Sequence, residues 1–165
     1  MDFSFAYADK TKMEETLPIL FEILYSNMSQ ITPTGNSYEN DRREWLSNLI
    51  PAMQREPRHI ILFYANGALA GYFQYYINAG AFMMEEMQIR RPYQGTGLFR
   101  AFFSWLVERL PKELKTVEAY SDKANDKSQA ILEHLGLVRS GESENGNAYY
   151  YRGDYAVLLQ KYAVR

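Results

Sequence analysis

The run Met87-Gln-Ile-Arg-Arg-Pro-Tyr-Gln-Gly-Thr-Gly-Leu-Phe-Arg100 passes from a β-rich stretch through a short loop into a helical pattern. A glycine-rich turn that enters a helix leaves several backbone N–H groups unpaired and aimed at one spot. The positive end of the helix dipole adds to them, so the turn is an anion-site candidate. Gly95 and Gly97 let a bulky diphosphate approach the main chain with no Cβ in the way. A kinase-type phosphate loop would need Lys and Ser or Thr after its last glycine, and Leu98 follows Gly97. A dinucleotide fingerprint would need a third glycine where Arg100 stands. Taken as a bare glycine pair, the turn serves equally well as a flexible entry to a helix.

A second constellation lies just upstream. Glu85 and Glu86 interrupt an otherwise apolar stretch, and strand alternation sends such neighbours to opposite faces, so only one can face a cleft. A buried carboxylate gains proton affinity and becomes suited to taking a proton from an ammonium group. The competing reading is that one glutamate is solvated and the other pairs with a nearby Arg or Lys. Glu118 and Tyr120 share a face of a later strand and form another cleft candidate. Tyr38 and Trp45 could shape specificity or simply pack, and His59 and His134 read as strand-edge and helix-surface residues. Glu39 to Glu44 reads as a solvated helix face.

The secondary structure around these groups follows from periodicity. Asp2 to Tyr7 alternates as a strand. Thr11 is placed to cap a helix running to about Met28, whose stripe is Met13, Leu17, Leu20, Leu24 and Met28; Pro18 inside it marks a kink or a later start. A second helix is expected over Tyr38 to Met53, disturbed at Pro51. Runs at His59 to Tyr64 and Ala68 to Ile77 flank Asn66-Gly67, a strong hairpin signal. A third strand, Ala81 to Ile89, follows the Asn78-Ala79-Gly80 turn. Then come a helix over Gly97 to Leu110, a strand over Leu114 to Ser121, a helix over Asn125 to Leu135, and a hairpin through Glu144-Asn145-Gly146. The alternation indicates an α/β domain with a mixed central sheet and about four helices.

Composition narrows the classes. The chain has 165 residues, 47% of them hydrophobic and 23% charged, which suits a single domain over 1–165 with one core. The formal net charge of -2 removes the general electrostatic case for nucleic acid. With no cysteine, disulfide frameworks, thiolate metal sites and a cysteine nucleophile are excluded together. No apolar run approaches the roughly 20 residues that span a bilayer, and no signal-peptide pattern opens the chain, so no membrane association is expected and a cytoplasmic location is the default. The fourteen tyrosines suit a core and sheet faces, or in part a ligand cleft.

The stretch Ile89 to Gly97 resembles the cofactor motif of the GNAT family of N-acetyltransferases, Gln/Arg-x-x-Gly-x-Gly/Ala after a strand that ends in an aliphatic residue with a proline three positions on. Ile89, Pro92, Gln94 and Gly97 fall on it in register. Asn125 followed by Glu133-His134-Leu135-Gly136-Leu137 is similar to the family's Asn-(x)7-Glu-Lys-x-Gly-Phe. The resemblance implies a GNAT-like fold and acetyl-CoA as cofactor. It implies that Met87, Gln88 and Ile89 pair their backbone with the pantetheine arm, and that Gln94, Gly95, Thr96, Gly97, Leu98 and Phe99 wrap the pyrophosphate, with Arg100 adding charge and Asn125 reaching the arm. It also implies direct attack of a deprotonated amine on the thioester, with no metal. Glu85-Glu86-Met87-Gln88-Ile89 looks like the Glu-Asp-x-x-Val of members acting on polyamines and similar amines, which favours Glu85 as base.

Two positions depart from the pattern: Phe99 stands where Gly or Ala is preferred, and Leu132 stands where many members place a thiolate-protonating tyrosine. Tyr120 and the run Tyr149-Tyr150-Tyr151 are the substitute phenols. The expected activity is acetyl transfer to a primary amine of a small molecule, polyamine- or aminoglycoside-like. The alternatives are a protein or peptide N-acetyltransferase, and an acyl-CoA-binding regulatory domain with weak or no catalysis. Pairing of two copies through the tail strands is compatible with the pattern.

Overall fold

Two tight turns shape the middle of the chain. Asn66 and Gly67 take φ of 50° and 80°, and Ala79 and Gly80 take 48° and 82°, the left-handed pairing that matches the twist of a two-residue hairpin. Asparagine and glycine enter that region readily, whereas an alanine there costs about 1–2 kcal/mol that the flanking strands must outweigh. The strands so joined are β2 (His59–Ala65), β3 (Ala68–Asn78) and β4 (Ala81–Ile89), the meander expected from the sequence.

The computed structural model describes residues 1–55 and 57–164. Its other strands are β1 (Phe3–Tyr7), β5 (Thr116–Asp122), β6 (Val138–Glu142) and β7 (Ala148–Asp154). Its helices are α1 (Met13–Met28), α2 (Tyr38–Met53), α3 (Leu98–Val107), α4 (Asp126–His134) and α5 (Tyr155–Tyr162). The seven strands form one mixed sheet in the order β1-β2-β3-β4-β5-β7-β6. The fold is α/β, as expected. The chain gathers into two compact units, Met1–Gln74 with Glu86–Thr96, and Tyr75–Glu85 with Gly97–Arg165; β3 and β4 each contribute to both.

In the first unit β1 pairs antiparallel with β2, Phe3 opposite Ala65 and Tyr7 opposite Ile61, and Phe5 meets Phe63 edge to face at 5.6 Å. The core joins Met13, Leu17, Leu20 and Ile23 of α1 to Met53, Ile60 and Tyr72. Each fully buried aliphatic side chain of this set contributes roughly 1.5–3 kcal/mol. That burial carries α1 through Pro18 and α2 through Pro51, although each proline removes one helical hydrogen bond. Thr11 is not the cap of α1. Asp9 accepts from the Thr11 amide and caps a 3-10 turn over Lys10–Lys12, and α1 follows it without a side-chain cap.

In the second unit β4 pairs parallel with β5 from Ala81 opposite Thr116 to Met84 opposite Ala119, and β5 pairs antiparallel with β7 along its whole length. The core holds Phe82, Phe102, Phe103, Leu106, Val117 and Tyr151. Helix α5 lies beyond the sequence reading. Asp154 caps it by accepting from the Ala156 amide at 2.9 Å, and Tyr155, Leu158 and Tyr162 bury one face.

Candidate cofactor and catalytic site

The end of β4 in the first unit is tied down by side chains. The Asn27 amide on α1 donates both its protons, one to Gln88 Oε1 at 2.9 Å and one to the Ile89 carbonyl at 3.0 Å. Gln94 Nε2 donates to the same carbonyl at 2.9 Å. Gln88, itself buried, donates through Nε2 to Glu86 Oε1 at 2.7 Å. Nearby, the Tyr72 hydroxyl is buried without a hydrogen-bond partner; burial, and secondarily the charge of Glu86, holds its proton far more tightly than an ordinary phenol. Gly71 of β3 lets the strands close at this point, since a Cβ there would lie 2.2 Å from the Gln88 carbonyl oxygen.

The turn itself is made for open backbone. Gly95 and Gly97 have φ of 74° and 92°, and a Cβ built on either would meet nothing within 4 Å. Thr96 Oγ1 donates to the Tyr93 carbonyl at 2.6 Å and fixes the approach. Gly97 directly precedes α3, which no side chain caps. The first-turn N–H groups of Leu98, Phe99 and Arg100 therefore have no partner within the helix. These donors, backed by the helix dipole and free of obstructing Cβ atoms, suit an anionic diphosphate. Phe99 is accommodated by turning its ring onto Phe103, centroids 4.7 Å apart.

In the second unit the β4–β5 ladder stops at Met84 and Ala119, while β5 continues to Asp122. The face of β5 that carries Thr116, Glu118 and Tyr120 holds a polar cluster. Thr116 Oγ1 donates to Glu118 Oε1 at 3.0 Å, Arg152 Nε lies 3.7 Å from the same oxygen, and the Tyr120 and Tyr150 rings are 5.2 Å apart. Burial, and then the hydrogen bond to Glu118, pushes the Tyr150 phenol up to about 12, so it keeps its proton at any physiological pH. Tyr120 is 51% exposed. Glu85 is half-buried in this unit. Among the described residues no cluster of His, Asp or Glu could hold a metal ion, and no helix is long and apolar enough to cross a membrane.

The sequence profile of the Acetyltransferase (GNAT) family matches residues 18–137. The chain belongs to the GNAT family. A search among curated proteins gives no significant match. Solved GNAT structures share the fold at low identity. An acetyltransferase from Thermus thermophilus is 17% identical with a TM-score of 0.72, over 93% of this chain and 97% of that one. The PaiA N-acetyltransferase of Thermoplasma acidophilum, in complex with coenzyme A, is 13% identical with a TM-score of 0.68, over 94% and 100%. A chimera of the spermidine N-acetyltransferase SpeG from Vibrio cholerae and hSSAT is 14% identical with a TM-score of 0.65, over 96% and 99%.

Within the GNAT frame, several expected residues have visible local partners. Asn125 accepts from the Ser128 amide at 3.0 Å and caps α4, so one end of its amide is engaged by the helix. Leu132, at the position where many GNAT members carry a phenol, is buried on α4, and its carbonyl accepts from the Leu137 amide at 3.0 Å. Met87 and Ile89 are half-buried on β4. Asn27 escaped sequence reading because no local pattern marks it. A lone asparagine near the end of an amphipathic helix looks like any other surface polar residue.

Proposed function

We propose that the chain is an acetyl-CoA-dependent N-acetyltransferase acting on a primary amine of a small molecule, polyamine- or aminoglycoside-like. The observation that carries this reading is the turn from Gln94 to Arg100, with left-handed glycines at 95 and 97, open space above them and an uncapped helix start. In this reading the N–H groups around Gly97, Leu98 and Phe99 hold the pyrophosphate, Arg100 adds charge, and the backbone of Met87, Gln88 and Ile89 meets the pantetheine arm. Bound acetyl-CoA would supply the acetyl group as a thioester. Glu85 or Glu86 takes the proton from the acceptor's ammonium group, and Tyr120 is the phenol proposed to give a proton to the leaving thiolate. The small-amine class is supported by the order Glu85-Glu86-Met87-Gln88-Ile89 and by a structural neighbour that is a spermidine N-acetyltransferase.

The test is calorimetric. Gly97→Val sets a β-branched residue at φ 92° and should weaken coenzyme A binding at least about tenfold, some 1.4 kcal/mol, with the circular dichroism spectrum unchanged. Unaltered affinity would remove the assignment. A second reading, a coenzyme-binding regulatory domain with little catalysis, is favoured by the buried Leu132. Thiol release with a panel of amines separates the two, because the regulatory reading requires coenzyme A binding with no turnover on any of them.

A further inference from the structure

Three polar side chains, Asn27, Gln88 and Gln94, are hydrogen-bonded at the end of β4 in the first unit. Arg90 N–H donates to the Ala70 carbonyl at 2.8 Å, so Arg90 faces β3 across the ladder. Backbone groups of successive strand residues point to opposite edges, so the N–H and C=O of Ile89 point away from β3. The β4–β5 ladder ends at Met84. A carbonyl oxygen has two lone pairs, and on Ile89 both are engaged, by Asn27 Nδ2 at 3.0 Å and Gln94 Nε2 at 2.9 Å. The second proton of the Asn27 amide goes to Gln88 Oε1, which fixes the neighbouring side chain, and the Gln88 carbonyl is pressed into the space left by Gly71. The peptide units on both sides of Ile89 are thus oriented before any ligand arrives.

We infer that Asn27 is a positioning residue for the cofactor's arm, an assignment that rests on the acetyl-CoA reading. It holds the Ile89 carbonyl and the Gln88 side chain from helix α1 and so fixes the strand on both sides of the Ile89 N–H, which is presented to an amide-bearing chain lying along that edge of β4. Preorganisation of this kind lowers the ordering cost that a ligand otherwise meets on binding. Asn27 touches neither the phosphates nor the acceptor in this scheme, so its loss is felt only by ligands that carry the arm.

The experiment compares coenzyme A with 3′-phospho-ADP, its nucleotide part without the arm, by calorimetry on the wild-type chain, Asn27→Ala and Asn27→Asp. Aspartate keeps the shape of asparagine but has no proton to donate to either oxygen acceptor. Both variants should bind coenzyme A about tenfold more weakly and 3′-phospho-ADP within about twofold of the wild type, with thermal midpoints recorded alongside. Asn27 is only half-buried, so both should fold; if one does not, the other carries the test. Coenzyme A affinity that is unchanged or tighter in the folded variants overturns the inference and leaves the acetyl-CoA reading intact. Equal losses for both ligands also overturn it, because they mark general structural support. A wild-type chain that binds neither ligand sinks the functional reading itself, and the inference with it.

Discussion

The two carboxylates of β4 differ in their surroundings. Glu86 is bound by the Gln88 amide at 2.7 Å and lies close enough to Tyr72 for its charge to act on that buried phenol. Glu85 is half-buried in the other unit, and its place in the Glu-Glu-Met-Gln-Ile order is the ground for assigning it the base. Steady-state kinetics with an accepted amine decide between them. Glu85→Gln should depress turnover at neutral pH by the ~10²–10⁴ typical of removing a general base, Glu86→Gln far less, with coenzyme A affinity nearly unchanged in both. The opposite ranking transfers the role to Glu86, and two near-silent variants leave β4 without a base. At this scale the sequence revealed residue types but not partners. Gln88 could be placed on the cofactor strand by register, yet its side-chain link to Asn27, 61 positions away in the chain, leaves no trace in local pattern. The contact of Phe99 with Phe103 is by contrast an i,i+4 pair that helix spacing alone brings together.

Among the elements, the strands were the most legible. Ala81–Ile89 lies where the sequence placed a strand, and the Asn66-Gly67 turn carries the positive φ values its residues call for, whereas Ala79 takes one against its own preference. Helix ends were less so, because prolines at 18 and 51 look like breaks while buried side chains on the same helices hold them together. Helix α5 was missed because its eight residues follow directly on β7 and its tyrosines suit strand or helix equally. One strand contact is severe enough to test alone. A Cβ on Gly71 would meet the Gln88 carbonyl oxygen at 2.2 Å and Ile89 Cα at 3.0 Å, both backbone atoms that no rotamer change can move. Gly71→Ala should destabilise the fold by about 1–3 kcal/mol, as overpacking does. It should also weaken coenzyme A binding, since the displaced backbone is the one proposed to meet the arm. A melting temperature equal to the wild type would show that the strands part without strain.

For the molecule as a whole, composition and periodicity sufficed for the α/β class and the mixed sheet, and the Gln94-to-Gly97 motif for the GNAT family. What they could not supply is the acceptor; beside Glu118 and Tyr120, which share a face of β5, Tyr150 arrives only through the β5–β7 pairing. One consequence of the second hairpin reaches the chirality of the entire chain. Every residue but glycine is an L-amino acid, and at Ala79, φ 48°, that handedness opposes the turn. An alanine of the mirror-image configuration, introduced at this single position by chemical ligation, would find the same backbone shape relaxed while keeping its methyl group. Thermal unfolding of such a semisynthetic chain should show a gain of about 1 kcal/mol. A loss would mean that the methyl of the natural enantiomer makes a contact worth more than the strain.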